Sequence, residues 1–384
     1  MTRPGDAQAS READANGPAP VNLADHEAMA RNAMDANAWA YFSGGAADEL
    51  TLTANRQAWD RLSLLPRVLC PLAGGHTRLS LLGRQLAHPV LLAPIAYQRL
   101  AHPDGELASG VAAAALGAGF VLSTQATTPL EDIARAVQHD PGRGPLWFQL
   151  YLQHDRGFTR ELVQRAERAG YEALVLTVDA PCHGARDRER RAGFHLPAGI
   201  SAVNLLGMRP PPENDLAPGQ SALFDRLLHQ APSWADVQWL QGITALPIVL
   251  KGVLHPEDAR QASRLGVGGL IVSNHGGRTL DSAVSTARAL PRIAEAVRGE
   301  IPLLVDGGIR RGTDVLKAIA LGATAVLIGR PYIHALANSG ATGVAHVLRL
   351  LRDELEIAMA LTGCASLADV APELLVREFQ RDDR

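Results

Sequence analysis

Cysteine is scarce in this chain. Cys70, Cys182 and Cys364 are the only three in 384 residues, odd in number and far apart, which suggests neither a disulfide framework nor a thiolate metal cluster. A reducing cytoplasm fits that usage. H-x-H, H-E-x-x-H and paired cysteines are all missing, so no metal is expected. Also missing are a G-x-G-x-x-G opening a helix and a G-x-x-x-x-G-K-[S/T], which excludes a dinucleotide fold and a P-loop as phosphate binders. No apolar run approaches the ~18 residues of a membrane span, and the N-terminus has no apolar signal segment, so no membrane partner is expected. A formal net charge of -3 lacks the basic excess that nucleic acid requires. Lysine is scarcer than cysteine: Lys251 and Lys317 are the only two among 37 basic residues. A lysine in such a chain is more informative than usual.

What the chain has in quantity is apolar residues, 47% of the total, enough for a sizeable core. Residues 1–20 are rich in Ala, Asp, Gly and Pro without periodicity and read as a disordered tail, leaving 21–384 as one domain. Asp25 is placed to cap a helix carrying Met29, Ala33 and Met34, running to about Trp39 and broken by Ser43-Gly44-Gly45. From Pro89 the chain keeps a beat of short apolar strand, loop and helix. Strands are expected at Pro89–Ala93, Phe120–Ser123, Leu146–Tyr151, Ala173–Val178, Ile248–Lys251, Gly269–Ser273, Leu303–Asp306 and Ala325–Ile328. Helices are expected at Gly105–Leu116, Leu130–Val137, Arg160–Ala169, Pro256–Leu265, Thr286–Val297 and Thr313–Leu321. Eight such units imply an α/β fold, a parallel (β/α)8 TIM barrel, with an N-terminal helical segment. The beat breaks once, between Val178 and Ile248, in a long loop after strand four that holds the charged run Arg186–Arg191 and Pro210-Pro211-Pro212. Loops of that length in a barrel are lids or insertions over the active face. Val344–Leu361 reads as an amphipathic helix packed on the outside.

In a barrel the strand ends and the loops after them form the active face. Those ends carry Pro94 and Ala96, Ser123, Gln149 and Tyr151, Thr177 and Asp179, Lys251, Ser273 and His275, Asp306 and Arg310, and Gly329 and Arg330. Polar groups recur where an apolar barrel has no structural need of them, which favours a ligand site. The stretch Ser273-Asn274-His275-Gly276-Gly277-Arg278 puts a base and a planar anion fork on one tight loop after strand six, opposite the loops that follow strands seven and eight. Those two loops hold Asp306-Gly307-Gly308-Ile309-Arg310 and Gly329-Arg330. Exposed backbone N–H groups, helix starts and two guanidinium forks make them a phosphate cradle.

Several of these stretches resemble the FMN-dependent L-2-hydroxy-acid oxidase and dehydrogenase family, which includes glycolate, lactate and mandelate oxidases. They are Tyr41-Phe42-Ser43-Gly44-Gly45-Ala46-Ala47-Asp48-Glu49, Ala93-Pro94-Ile95-Ala96, Ala101-His102-Pro103-Asp104-Gly105-Glu106, Gln149-Leu150-Tyr151, Leu176-Thr177-Val178-Asp179, the hexapeptide from Ser273, and Asp306-Gly307-Gly308. The resemblance covers about residues 22–375. It implies FMN as cofactor and oxidation of a small L-2-hydroxy acid to the 2-oxo acid, with oxygen or another electron acceptor. It makes His275 the base, Asp179 its partner, Arg278 and Arg186 the carboxylate clamp, and Tyr41 and Tyr151 phenolic donors. FMN contacts fall on Pro94, Ile95, Ala96, Ser123, Gln149, Thr177, Lys251, Ser273, Asp306, Gly307, Gly308, Ile309, Arg310, Gly329 and Arg330. Lys251 would stand by the flavin edge that gains negative charge on reduction. A homotetramer is implied because the family is commonly tetrameric. Gln125 and Tyr97 depart from glycolate oxidases, which carry Trp and Met there, and leave the hydroxy acid open. Ala96 favours an oxidase. The alternatives are a dehydrogenase using a quinone or protein acceptor, a flavin-free sugar-phosphate lyase or isomerase, and an inactive scaffold.

Overall fold

The computed structural model describes residues 19–210, 216–217, 219–228 and 231–377. Eight strands, β1 (Val90–Leu92), β2 (Gly119–Leu122), β3 (Leu146–Leu150), β4 (Ala173–Thr177), β5 (Ile248–Val253), β6 (Gly269–Val272), β7 (Leu303–Val305) and β8 (Ala325–Ile328), close into a parallel barrel in chain order. The two ends meet through Val326 against Val90. The strands are short, rich in Val, Ile and Leu, and buried on both faces, as strands enclosed by helices must be. With intervening helices, this is a TIM barrel.

Residues two apart on a strand share a face. The inward ones, Leu91, Val121, Trp147, Val175, Val249, Ile271, Leu304 and Leu327, form one apolar cluster that fills the lumen. Leu81 and Leu86, from a hairpin of Leu79–Leu81 with Arg84–Leu86, join that cluster. The outward residues meet the helices. The helix Leu130–Val137 buries Leu130, Ile133, Ala134 and Val137, the i, i+3, i+4, i+7 stripe of an amphipathic helix.

Some boundaries differ from expectation. The single helix expected from Asp25 to about Trp39 is two, α1 (Leu23–Ala33) and α2 (Ala36–Ser43). Asn22 caps α1 by accepting the Asp25 N–H, and Met34 then turns extended (ψ 147°), so that Asp35 accepts the Ala38 N–H and caps α2. A third Asx cap explains the helix that begins at Arg156, not Arg160: Asp155 accepts the Phe158 N–H. The expected Val344–Leu361 is the second half of Arg330–Thr362, which kinks at Ser339 and Gly340. The long loop holds the short helix α3 (Asp187–Arg191), a π-helical turn Ala222–Leu227 and the helix Trp234–Gln241. Of the expected tail, residues 1–18 lie outside the described residues, as do Pro211 and Pro212.

Candidate active site

A cavity of about 2100 Å³ opens at the C-terminal ends of the strands. Its floor forms where the inward apolar residues of β2 to β7 are each followed, two positions on, by a polar side chain at the strand's end, while β1 and β8 end in Ala93 and Gly329. After Trp147 comes Gln149, whose Oε1 accepts from Ser123 Oγ (3.2 Å) and the Thr124 N–H (3.1 Å), while its Nε2 donates to Thr177 Oγ1 (3.1 Å). After Val249 comes Lys251, buried, donating to Ser273 Oγ (2.9 Å) and paired with Asp306 Oδ2 (3.1 Å). Burial pulls the Lys251 ammonium down, but Asp306 and then Asp179 outweigh it and the net direction is up. It is a fixed cation. Asp306 Oδ1 is buried with no partner among the described residues, an acceptor that a ligand hydroxyl can fill.

His275 has the left-handed backbone φ of 56°, a strained state for a non-glycine residue. Its N–H is held by Ser273 Oγ (3.0 Å), and the next turn closes from the Gly277 N–H to the Asn274 carbonyl (2.9 Å). Asn274 and Asn55 exchange both amide bonds at 2.8 Å, which pins this loop to the helix Leu50–Asp60. The His275 Nδ1 lies 2.9 Å from Asp179 Oδ1. Burial pushes Asp179 up, yet His275 and Lys251 pull harder and hold the carboxyl below its usual range. With Nδ1 committed to a carboxylate, Nε2 is the nitrogen left to accept a proton. Gly252, at a bulge in β5 and at φ 111°, keeps this pair in place: a Cβ there would lie 2.4 Å from Asp179 Cβ.

The arginines divide their work. Arg278 Nη1 donates to the carbonyls of Tyr41 and Gly44, and its Nη2 donates to Glu189 Oε1 (3.0 Å). Arg186 Nη1 reaches the same oxygen at 3.2 Å. Arg278 also lies over the Tyr41 ring, 5.0 Å from its centre, and Phe194 stacks on that ring at 4.8 Å. The Tyr41 and Tyr151 hydroxyls line the cavity without a protein partner among the described residues, and burial raises the pKa of both. They are donors, not acids.

Arg330 donates to the carbonyls of Phe42 (3.0 Å), Gly276 (2.9 Å) and Gly44 (2.8 Å). The hexapeptide therefore adjoins the cradle and is not opposite it, because β6, β7 and β8 are neighbours. Burial, then Arg278 and Arg310, push Arg330 down to about 9. A buried cation crowded by two others is relieved by an anion. The guanidinium of Arg310, also lowered by burial, has only the carbonyl of its neighbour Ile309 (3.3 Å) as a hydrogen-bond partner among the described residues. Its other donors face the cavity with Gly307, Gly308 and Gly329. Trp59 Nε1 donates to the Gly307 carbonyl (2.8 Å), which fixes the loop from outside.

Pro94, Ile95, Ala96, Ser123, Gln149, Tyr151, Thr177, Ile309 and the other expected residues line this cavity, with two exceptions. Asp179 stands behind His275, and Ser273 behind Lys251. Sequence reasoning missed Glu189, Gly252, the Asn55 partner of Asn274, and the role of Glu106. The Glu106 carboxylate is fully buried and accepts four bonds, from the N–H groups of Gln98 and Thr127 and the hydroxyls of Thr127 and Thr128. That joins the loops after β1 and β2. Only Glu189 left a signal, an acid three residues after Arg186 in a charge run.

Crowded arginines, glycine-rich strand ends and an unpartnered carboxylate oxygen fit a ligand that carries both phosphate and hydroxyls, as FMN does. Residues 30–377 match the family model of FMN-dependent dehydrogenases. An L-lactate oxidase of Roseobacter sp. (strain GAI101) is 49% identical over 356 residues, 93% of this chain and 95% of that protein. Glycolate oxidase 1 of Zea mays is 44% identical over 366 residues, 94% and 97% of the two chains. A crystal structure of mandelate oxidase superposes with a TM-score of 0.83 at 43% identity, over 93% of this chain and 98% of that one.

Proposed function

This chain belongs to the FMN-dependent dehydrogenase family, and from that premise we propose that it oxidises a small L-2-hydroxy acid to the 2-oxo acid, with oxygen as final acceptor. The observation that carries the reading is the His275–Asp179 pair at 2.9 Å, with His275 lining the same cavity as Arg278 and Lys251. FMN, when bound, supplies the two-electron acceptor. Arg310 and the N–H groups of Gly307, Gly308 and Gly329 would hold its phosphate, with Arg330 as a buried neighbouring charge. Asp306 would take a hydroxyl. Lys251, Ser273, Ser123, Gln149, Thr177 and the Pro94–Ala96 segment would hold the ring.

Arg278 and Arg186 bind the substrate carboxylate, and Tyr41 and Tyr151 donate hydrogen bonds to its oxygens. The hydroxyl-bearing carbon is thereby fixed near His275. His275 Nε2 takes the proton the substrate releases, and Asp179 stabilises the imidazolium that results. Residues 21–384 act as one FMN-binding unit in this reading, which also takes the protein to be a cytoplasmic homo-oligomer. No helix among the described residues is long and apolar enough to cross a membrane.

The test is an anaerobic panel of L-lactate, glycolate and L-mandelate added to the FMN-loaded protein. One of them should bleach the flavin absorbance, and oxygen should restore it rapidly. Slow restoration replaces oxygen by a quinone or protein acceptor. Protein that takes up no FMN overturns the reading.

A further inference from the structure

The carboxylate clamp already holds a carboxylate. Glu189 Oε1 accepts from Arg278 Nη2 at 3.0 Å and from Arg186 Nη1 at 3.2 Å, and all three side chains are largely buried, with 13–16% of their surface exposed. The other charges of α3 are directed elsewhere: Asp187 pairs with Arg190 and Arg191, and Arg188 with Glu49. Of the two acids on α3, Glu189 is the one that lines the site. Its presence limits what Arg278 can offer. Of five guanidinium N–H groups, both on Nη1 go to the Tyr41 and Gly44 carbonyls and one on Nη2 goes to Glu189. Two remain. They are on Nε and Nη2, so a substrate carboxylate shares Nη2 with Glu189.

We infer that Glu189 is an internal stand-in for the substrate carboxylate, displaced when the acid binds, and that it tunes the clamp to a single negative charge. The inference rests on Arg278 and Arg186 being the clamp. Two guanidinium groups and one carboxylate leave one net positive charge, which one substrate carboxylate neutralises. A second carboxylate on the ligand meets Glu189 at close range in a poorly hydrated pocket, where repulsion is strong. Displacement is mechanically accessible because α3 is a five-residue turn of the long loop after β4. The same loop supplies Phe194, whose ring lies on Tyr41, so withdrawing Glu189 and opening the clamp are motions of one segment.

The experiment is calorimetric titration of the FMN-loaded protein with pyruvate, a monoanion, and oxalate, a dianion, neither of which the enzyme can oxidise. Glu189→Gln keeps the side-chain shape and removes the charge. It should tighten pyruvate binding about tenfold and oxalate binding by more, as expected for losing one close negative charge. Glu189→Ala should move both affinities in the same direction. If Glu189 merely orients the two arginines, both variants bind both acids more weakly, and that result, or no change, overturns the inference. Arg278→Lys separates this from the underlying reading: wild-type oxalate affinity that Arg278→Lys leaves unmoved sinks the clamp itself.

Discussion

Two residues along one strand separate Trp147 from Gln149, and the two ends of the barrel lumen differ as those side chains do. The lower end is apolar and complete, with every inward side chain packed against others of its kind. The upper end is polar and crowded with charge, and it leaves buried oxygens of Asp179 and Asp306 without partners among the described residues. The strands thus carry stability along their length, and most of them carry chemistry at or just past their C-terminal end. The polar end can remain unsatisfied because the layer beneath it is complete without any ligand.

Three changes probe that division. Trp147→Ala empties the centre of the apolar layer and should lower unfolding free energy by about 3–5 kcal/mol, read by urea unfolding, while the folded fraction keeps its KM. Lost activity at unchanged stability would erase the division. His275→Gln should do the reverse, cutting turnover by about 10²–10⁴-fold with the melting temperature nearly unmoved and FMN still bound. The effect confined to acid pH, and absent at neutral pH, belongs to His334, which lies behind the cradle. Burial pushes it down to about 3, and Arg310 and Arg330 push the same way. The folded imidazole stays neutral while the unfolded one takes a proton below about 6.5, so stability is whole above that pH and falls as the pH drops from about 6.5 toward about 3. His334→Gln should flatten that acid limb in pH-dependent unfolding curves. An unchanged limb would assign it to the carboxylates.

The barrel is legible in the sequence because its strands are continuous apolar runs set at regular intervals, and a strand buried on both faces can hardly be written otherwise. The Leu130–Val137 and Thr286–Val297 helices have the boundaries the sequence predicts. The break in the first helix is not legible, since Asp35 looks like any helical polar residue until Met34 turns extended. Strand-end polar residues can be found by counting. Asn55 cannot, because its partner lies 219 positions away, and of the two partners of Glu189 only Arg186, three residues before it, is local, while Arg278 lies 89 positions on. Gly252 reads as an ordinary strand glycine until the bulge brings Asp179 against it.

Arg330 has a bearing on how the chain assembles as it is made. It fastens the carbonyls of Phe42 and Gly44 to that of Gly276, contacts that span up to 288 positions. The segment that presents Tyr41 therefore leaves the ribosome long before its anchor exists. Arg278 can hold the Tyr41 and Gly44 carbonyls earlier, but the Phe42 carbonyl has to wait until the eighth strand has been synthesised and the barrel can close. The segment that presents Tyr41 is among the first parts written and among the last to be fully fastened, so a chain cut short just before Arg330 would hold all eight barrel strands and have no finished site.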